Sequence, residues 1–250
     1  MSPLLLKLIY MLWLTGMGLQ FLLSAVLASR KTWRYLPVFT GFSIFCLLQN
    51  VVCYVVRGNV QQAYPYVYWV TESVVLVLGV LVIYEVFTKF LTPYPALHGL
   101  ARSGFRWTIG LLVLISLSVV CFHAPVEGSR FVAGAVVLEQ ATRVAEVGLL
   151  VFLFSFSRIF GLHWRQHIFG VALGLGLFTT VELIGVTVRA HFGIAAWQIF
   201  NLAGMLSYNI SLLVWIGYLL VREQATSAAE MPKRAQLEQW NQAIMELIHQ

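Results

Sequence analysis

The residues of this chain best suited to chemistry are Glu139, Arg143 and Glu146, in the run LEQATRVAEVGLL. They stand at i, i+4 and i+7, within roughly 60° of one another on a helix turning about 100° per residue. Carboxylates flanking a guanidinium on one helix face can form ion pairs, carry a proton or hold a cation. Such groups are out of place here, because the segment around them is apolar. Other apolar segments repeat the pattern: Glu72 in YWVTESVV, Glu182 in TTVELIGV, Gln49 and Asn50 in CLLQNVVC, and Tyr208 and Asn209 in LSYNIS.

Composition says what kind of element must carry these groups. The 250 residues are 60% hydrophobic and only 10% charged, against about 25% charged in an ordinary soluble domain. Too few polar residues remain to cover a water-facing surface, so the class is an all-α, polytopic membrane protein. Every acidic residue is Glu; the sequence has no Asp. The formal charge of +6 is expected to collect in loops on one side of a membrane and does not point to nucleic acid.

Seven stretches reach or approach the roughly 20 apolar residues a helical span needs, at about 4–29, 37–57, 66–91, 107–122, 132–158, 167–189 and 197–221. The fourth is short, carries no charge and is expected at the bundle edge. Pro37, Pro65, Pro93, Pro95 and Pro125 fall at span edges or in loops, where a missing N–H does least damage. Trp33, Trp69, Trp107, Trp164 and Trp197 fall near the predicted interfaces, as amphipathic rings prefer. Trp13 and Trp215 lie deeper and escape that explanation.

Eleven of the sixteen Lys and Arg residues lie on one side of this arrangement and four on the other, with Arg143 inside a span. The positive-inside rule then places the N-terminus outside and the C-terminus in the cytoplasm. A cleavable signal peptide ending near Ala28 is disfavoured, since RKTWR follows at once and resists export. With this orientation and about 1.5 Å per residue, Glu139, Arg143 and Glu146 lie roughly 10, 16 and 21 Å from the outer end of the fifth span. Glu72, Glu182, Asn50, Tyr208 and Asn209 fall at outer-half or middle depths. Glu85 lies near the inner end, four residues before Lys89, and an i,i+4 pair accounts for it.

Four glutamates (72, 139, 146 and 182) thus accompany one arginine. Fully ionised, the layer would carry a net charge of −3. Protons, a cation or a ligand must supply the difference. A charged side chain at mid-span costs about 2.5–3.5 kcal/mol on insertion scales and usually faces a bundle interior or wet cavity. Three readings stay open. The groups pair among themselves and fix helix register; or they line an outward-opening pocket for a small polar or cationic ligand, with Glu72, Glu139, Arg143, Glu146, Glu182, Asn50, Asn209 and Tyr208 as its candidate residues; or the carboxylates form a proton or cation path.

Other chemistry finds no support. The seventh span has no Lys, every His lies at a span edge, in a loop or in the tail, and no GxSxG or nucleophile–base pair is present, so neither an enzyme nor a cofactor is expected. His163 and His167 in HWRQH have i,i+4 spacing but no third metal ligand. Gly170-x-x-x-Gly174 suits close helix packing. Cys46 and Cys53, seven apart in one segment, are about 10 Å apart and cannot bridge. A Cys53–Cys121 disulfide is the one alternative to free thiols.

The tail after Val221 forms a second unit, residues 222–250. In AQLEQWNQAIMELIHQ, Leu237, Trp240, Ile244 and Leu247 make a 3-4-3 apolar stripe, predicting an amphipathic helix at about 233–249. Two readings share that face: a helix lying on the membrane or bundle, and a docking helix for a cytoplasmic signalling partner or a homodimer.

The N-out seven-helix plan with short loops and a helical tail resembles the membrane-sensor modules of bacterial seven-helix receptors. The runs YWVTESVVLVLGVLVIYEVF and LFSFSRIFGLHWRQHIFGVALGLGLF resemble those of small uncharacterised bacterial seven-helix membrane proteins. The resemblance transfers no functional residue. It departs from receptor kinases in lacking a catalytic output domain, and LSYNIS lacks the proline of the eukaryotic seventh-helix motif. It implies a multi-pass sensor in the lipid bilayer, the inner membrane if the source is bacterial. A small proton- or cation-coupled transporter and a structural subunit of a membrane complex are the alternatives. No Pro-broken span or repeated half supports transport.

Overall fold

The computed structural model describes residues 3–60, 62–92, 99, 103, 105–107, 109–110, 114, 130–159, 166–192 and 194–221. The chain divides into two units, Met1–Leu220 and Val221–Gln250. The tail stripe Leu237, Trp240, Ile244 and Leu247 lies outside the described residues, as do Cys121, His163 and most of the predicted fourth span.

Unit one is all helical among the described residues: α1 (Pro3–Ser29), α2 (Pro37–Asn59), α3 (Tyr64–Leu91), α4 (Arg130–Ile159), α5 (Gln166–Phe192) and α6 (Ile194–Leu220), with a 3-10 turn at Thr32–Arg34. Each of the six contains a stretch long and apolar enough to cross a membrane. They match predicted spans one to three and five to seven. The helices outrun the apolar stretches at several ends, where polar residues such as Asn59, Arg130 and Gln166 continue the same hydrogen-bonded ladder. Prolines open three helices: Pro3 starts α1, and Pro37 and Pro65 occupy the first turns of α2 and α3, where no intrahelical donor is lost.

Side-chain contacts fix the order and direction of packing. The helices close a ring in chain order, with α6 returning to α1. Gln20 meets Ser43 and Trp13 meets Tyr54, so α1 and α2 are antiparallel. Gln49 with Glu72, and Val38 with Glu85, make α2 and α3 antiparallel too. Phe154 with Phe169 and Arg143 with Phe178 do the same for α4 and α5, and Trp215 with Val171 for α5 and α6. Two pairs are exceptions: α6 with α1, where Asn209 meets Leu12 and Leu220 meets Arg30, and α3 with α4, where Glu72 meets Arg143, Gly79 faces Glu146, and Phe87 stacks near Phe152 and Phe156. The residue numbers rise together, so these neighbours are parallel.

The dry core fills the half of the ring nearest the α1 C-terminus, the expected inner half. It is built from Leu23, Leu27, Leu36, Phe39, Phe42, Val82 to Phe90, Leu149 to Phe156, Ile168 to Leu175 and Leu212 to Leu219. Trp215 is its keystone. It is 1% exposed, stands edge-on to Phe39 and Phe42, and donates its indole N–H to Val171 O at 3.2 Å. That explains its depth: it is a core residue with a satisfied donor rather than an interface anchor. A Cβ on Gly174 would meet its ring, and one on Gly170 would meet Tyr218. The Gly-x-x-x-Gly spacing therefore serves close α5–α6 packing.

One expectation is corrected. Glu85 does not rest on a pair with Lys89. Its Oε1 and Oε2 accept the backbone N–H groups of Val38 and Phe39 at 3.0 and 2.8 Å. Leu36, at the N-cap of α2, supplies no side-chain cap, so a carboxylate from another helix satisfies the first turn. Lys89 instead lies 5.1 Å from the Tyr35 ring centroid. At the same end Arg30 Nη2 donates to Leu220 O, tying the end of α6 to the start of the α1–α2 turn. Cys46 and Cys53 are both free thiols.

Candidate functional site

Above the dry core, polar side chains from every described helix turn inward. Arg143 is the centre. It is 3% exposed on α4 and forms two ion pairs: Nη1 to Glu146 Oε2 at 3.0 Å on its own helix, and Nη2 to Glu72 Oε1 at 3.2 Å on α3. Glu72 Oε2 accepts in turn from Gln49 Nε2 on α2 at 3.1 Å. The guanidinium carbon lies 5.0 Å from the Phe178 ring centroid on α5. A delocalised, weakly hydrated cation suits such a mixed carboxylate and aromatic seat.

The network continues past Phe178. That ring packs against Tyr208 on α6, centroid to centroid 5.5 Å. The Tyr208 hydroxyl donates to Gln20 Oε1 on α1 at 2.9 Å. Gln20 Nε2 donates to Ser43 O at 2.6 Å and faces Ser43 Oγ at 3.0 Å on α2. Side chains thus link α1, α2, α3, α4, α5 and α6 in a closed belt. In hydrocarbon each buried polar group must find a partner within the protein, so these residues draw the six helices together.

Two carboxylates sit in glycine notches. Glu146 Oε1 occupies the space a Cβ would need at Gly79, and Glu182 Oε1 does the same at Gly204 on α6. Glycine lets the neighbouring backbone approach that closely. Glu146 Oε1 and Arg143 Nε are both buried without a hydrogen-bond partner. The layer therefore holds an excess of carboxylate with one acceptor and one donor unused. Glu139, 7% exposed, and Glu182 are two further carboxyl groups near Arg143. Among the described residues no three His, Cys or Glu side chains are grouped to hold a metal ion. The built-in cation is the guanidinium.

Of the predicted ligand residues, Glu72, Arg143 and Glu146 are joined directly, and Glu139 and Glu182 surround them electrostatically. Tyr208 joins through Phe178, and Asn50 lies beside Tyr208 while donating to Cys46 O. Asn209 belongs elsewhere. Its Nδ2 donates to Leu12 O at 3.1 Å on α1, and its Oδ1 lies against Gly16, because its helical position is 100° away from Tyr208. The sequence reading missed Gln20, Ser43 and Phe178. Gln20 had a signal, as the one amide in the first span; Phe178 had none, being one of 17 phenylalanines.

No family model, curated protein or solved structure matches this chain.

Proposed function

We propose that the chain is an integral membrane sensor whose Glu72–Arg143–Glu146 layer responds to a small polar or cationic ligand and passes the change to α6, the helix that leads into the cytoplasmic tail. The observation that carries this reading is the closed belt. A carboxylate-rich ion-pair centre on α3 and α4 is connected through Phe178 and Tyr208 to α6 and α1. A purely structural ion pair needs neither the surplus carboxylates nor the unused oxygen of Glu146.

The same reading takes seven spans, with the N-terminus outside and the tail inside. Parallel neighbours α3 and α4 support the seventh span: Leu91 and Arg130 stand at opposite ends of two parallel helices, and the sequence between them holds the apolar run 107–122. The inner membrane is the expected site if the source is bacterial. The tail stripe Leu237, Trp240, Ile244 and Leu247 would dock a signalling partner or a second copy.

The test is a spin label at Leu220 in the full chain reconstituted in nanodiscs, titrated with methylguanidinium or stepped in pH. A change in label mobility that disappears in Tyr208→Phe supports sensing through the belt. An unchanged label under both treatments sinks it. Uptake into proteoliposomes that depends on Glu72 and Glu146 would replace the sensor with a proton- or cation-coupled carrier.

A further inference from the structure

We infer that the Arg143 seat is a binding site for small organic cations of the guanidinium type, occupied in the resting protein by the chain's own side chain. This deepens the sensor reading by naming the ligand class, and it rests on that reading.

The seat has three walls from three helices. Glu72 on α3 and Glu146 on α4 supply carboxylate oxygens at 3.2 and 3.0 Å, and Phe178 on α5 supplies a ring face 5.0 Å from the cation. Two carboxylates and an aromatic face recognise a planar cation by charge, hydrogen bonding and dispersion together. Arg143 uses the seat incompletely: its Nε and Glu146 Oε1, both fully buried, are left without partners. The tether explains the misfit. Glu146 is only three residues from Arg143 on the same helix, so the guanidinium cannot turn its whole donor edge to that carboxylate while reaching Glu72. A free guanidinium has no such restraint.

Charge points the same way. Glu72, Glu146, Glu139 and Glu182 act on the site together, and Arg143 is the single cation among them. Tyr68, Tyr208, Cys46 and Cys53 are the other titratable neighbours of Glu72, and none of these side chains can carry positive charge. The site therefore favours a second cation over an anion. Access is asymmetric as well. The Glu72 side chain is 13% exposed whereas that of Glu146 is 1%, so an incoming cation meets Glu72 first and displaces Arg143 from it. A metal ion is the poorer fit, since no three hard ligands converge among the described residues.

Self-occupancy makes a quantitative prediction. Removing the internal competitor raises apparent affinity by the inverse of the fraction of time the seat is free. Methylguanidinium binding to the full-length protein in nanodiscs is measured by calorimetry and by thermal shift, with sodium at matched ionic strength as control. Arg143→Ala is expected to bind methylguanidinium saturably and about tenfold or more tightly than the wild type, and Glu72→Gln in that background to abolish binding. Arg143→Gln serves if the alanine variant does not fold. If neither folds, the wild type decides: saturable binding that Glu72→Gln removes supports the site, and its absence overturns it. Equal affinity in the wild type and the arginine variants, or binding indifferent to Glu72, also overturns it. Binding without movement at Leu220 would leave the site standing and end the sensor reading; movement on a pH step without methylguanidinium binding would do the reverse.

Discussion

The two halves of this bundle each bury a glutamate deeply and treat it in opposite ways. In the half that holds the dry core, Glu85 uses both oxygens on backbone N–H groups at the start of α2. The helix end presents fixed partial positive charge, so the pairing is complete and needs no mobile partner. In the other half, Glu146 uses one oxygen on Arg143 and leaves the other against Gly79. Its partner is a long side chain shared with Glu72. A carboxylate matched to backbone is architecture. A carboxylate matched in part, by a group with a competing partner, has somewhere else to go.

The strongest way to break the contrast is Arg143→Leu. The change removes the salt-bridge partner that Glu72 and Glu146 share while preserving an apolar helix. Breaking a buried pair by deleting one partner costs about 3–5 kcal/mol, because it leaves an uncompensated charge. We expect a loss of that size in thermal or denaturant unfolding in detergent, with membrane insertion retained. A loss below about 1 kcal/mol, the scale of exposed pairs, would show that the layer is wetter and less coupled than the geometry implies.

The difference between the halves also explains what could be read from sequence. Spans one to three and five to seven were legible, because apolar runs and proline positions report directly on what a bilayer tolerates. Spacing put Arg143 and Glu146 on one helix face and depth put Glu72 level with them, but their direct pairing was one of three open readings. Glu85 was misread because i,i+4 spacing is a local rule, and its real partner is the backbone of α2, two helix ends that only the tertiary fold brings together. Phe178 was invisible for a related reason. Its meaning comes from lying between Arg143 and Tyr208, and neighbours on two other helices leave no trace in a linear pattern. Asn209 was assigned to the site on depth, and depth says nothing about which way a helical residue faces.

A sharper comparison sets Glu85→Gln against Glu146→Gln. Both keep the shape and remove the charge. At Glu85 the amide can accept only one of two backbone donors and loses the interaction with the helix end, for an expected loss of about 1–2 kcal/mol. At Glu146 the amide oxygen still accepts from Arg143, whose charge stays paired with Glu72. We expect a smaller loss than for Glu85→Gln, read by thermal unfolding under the same conditions. The reverse ranking would make Glu146 the structural carboxylate and remove the basis for treating the layer as a responsive site.

The smallest expected effect is the most diagnostic. Tyr208→Phe removes one hydroxyl and leaves the ring against Phe178. Side-chain hydrogen bonds within membrane bundles average about 0.6 kcal/mol, so stability should fall by no more than about that amount. Gln20 keeps its bonds to Ser43 and the α1–α2 contact survives. What is lost is the one hydrogen bond by which the belt passes from α6 to α1. A double-mutant cycle with Arg143→Leu separates architecture from communication: the two residues share Phe178 as a neighbour, and their effects add only if that ring carries nothing between them. Coupling above about 0.5 kcal/mol between them would mean that Phe178 transmits the state of Arg143 to Tyr208. Strict additivity would mean that the belt is six separate contacts, each holding its own pair of helices and carrying nothing between them.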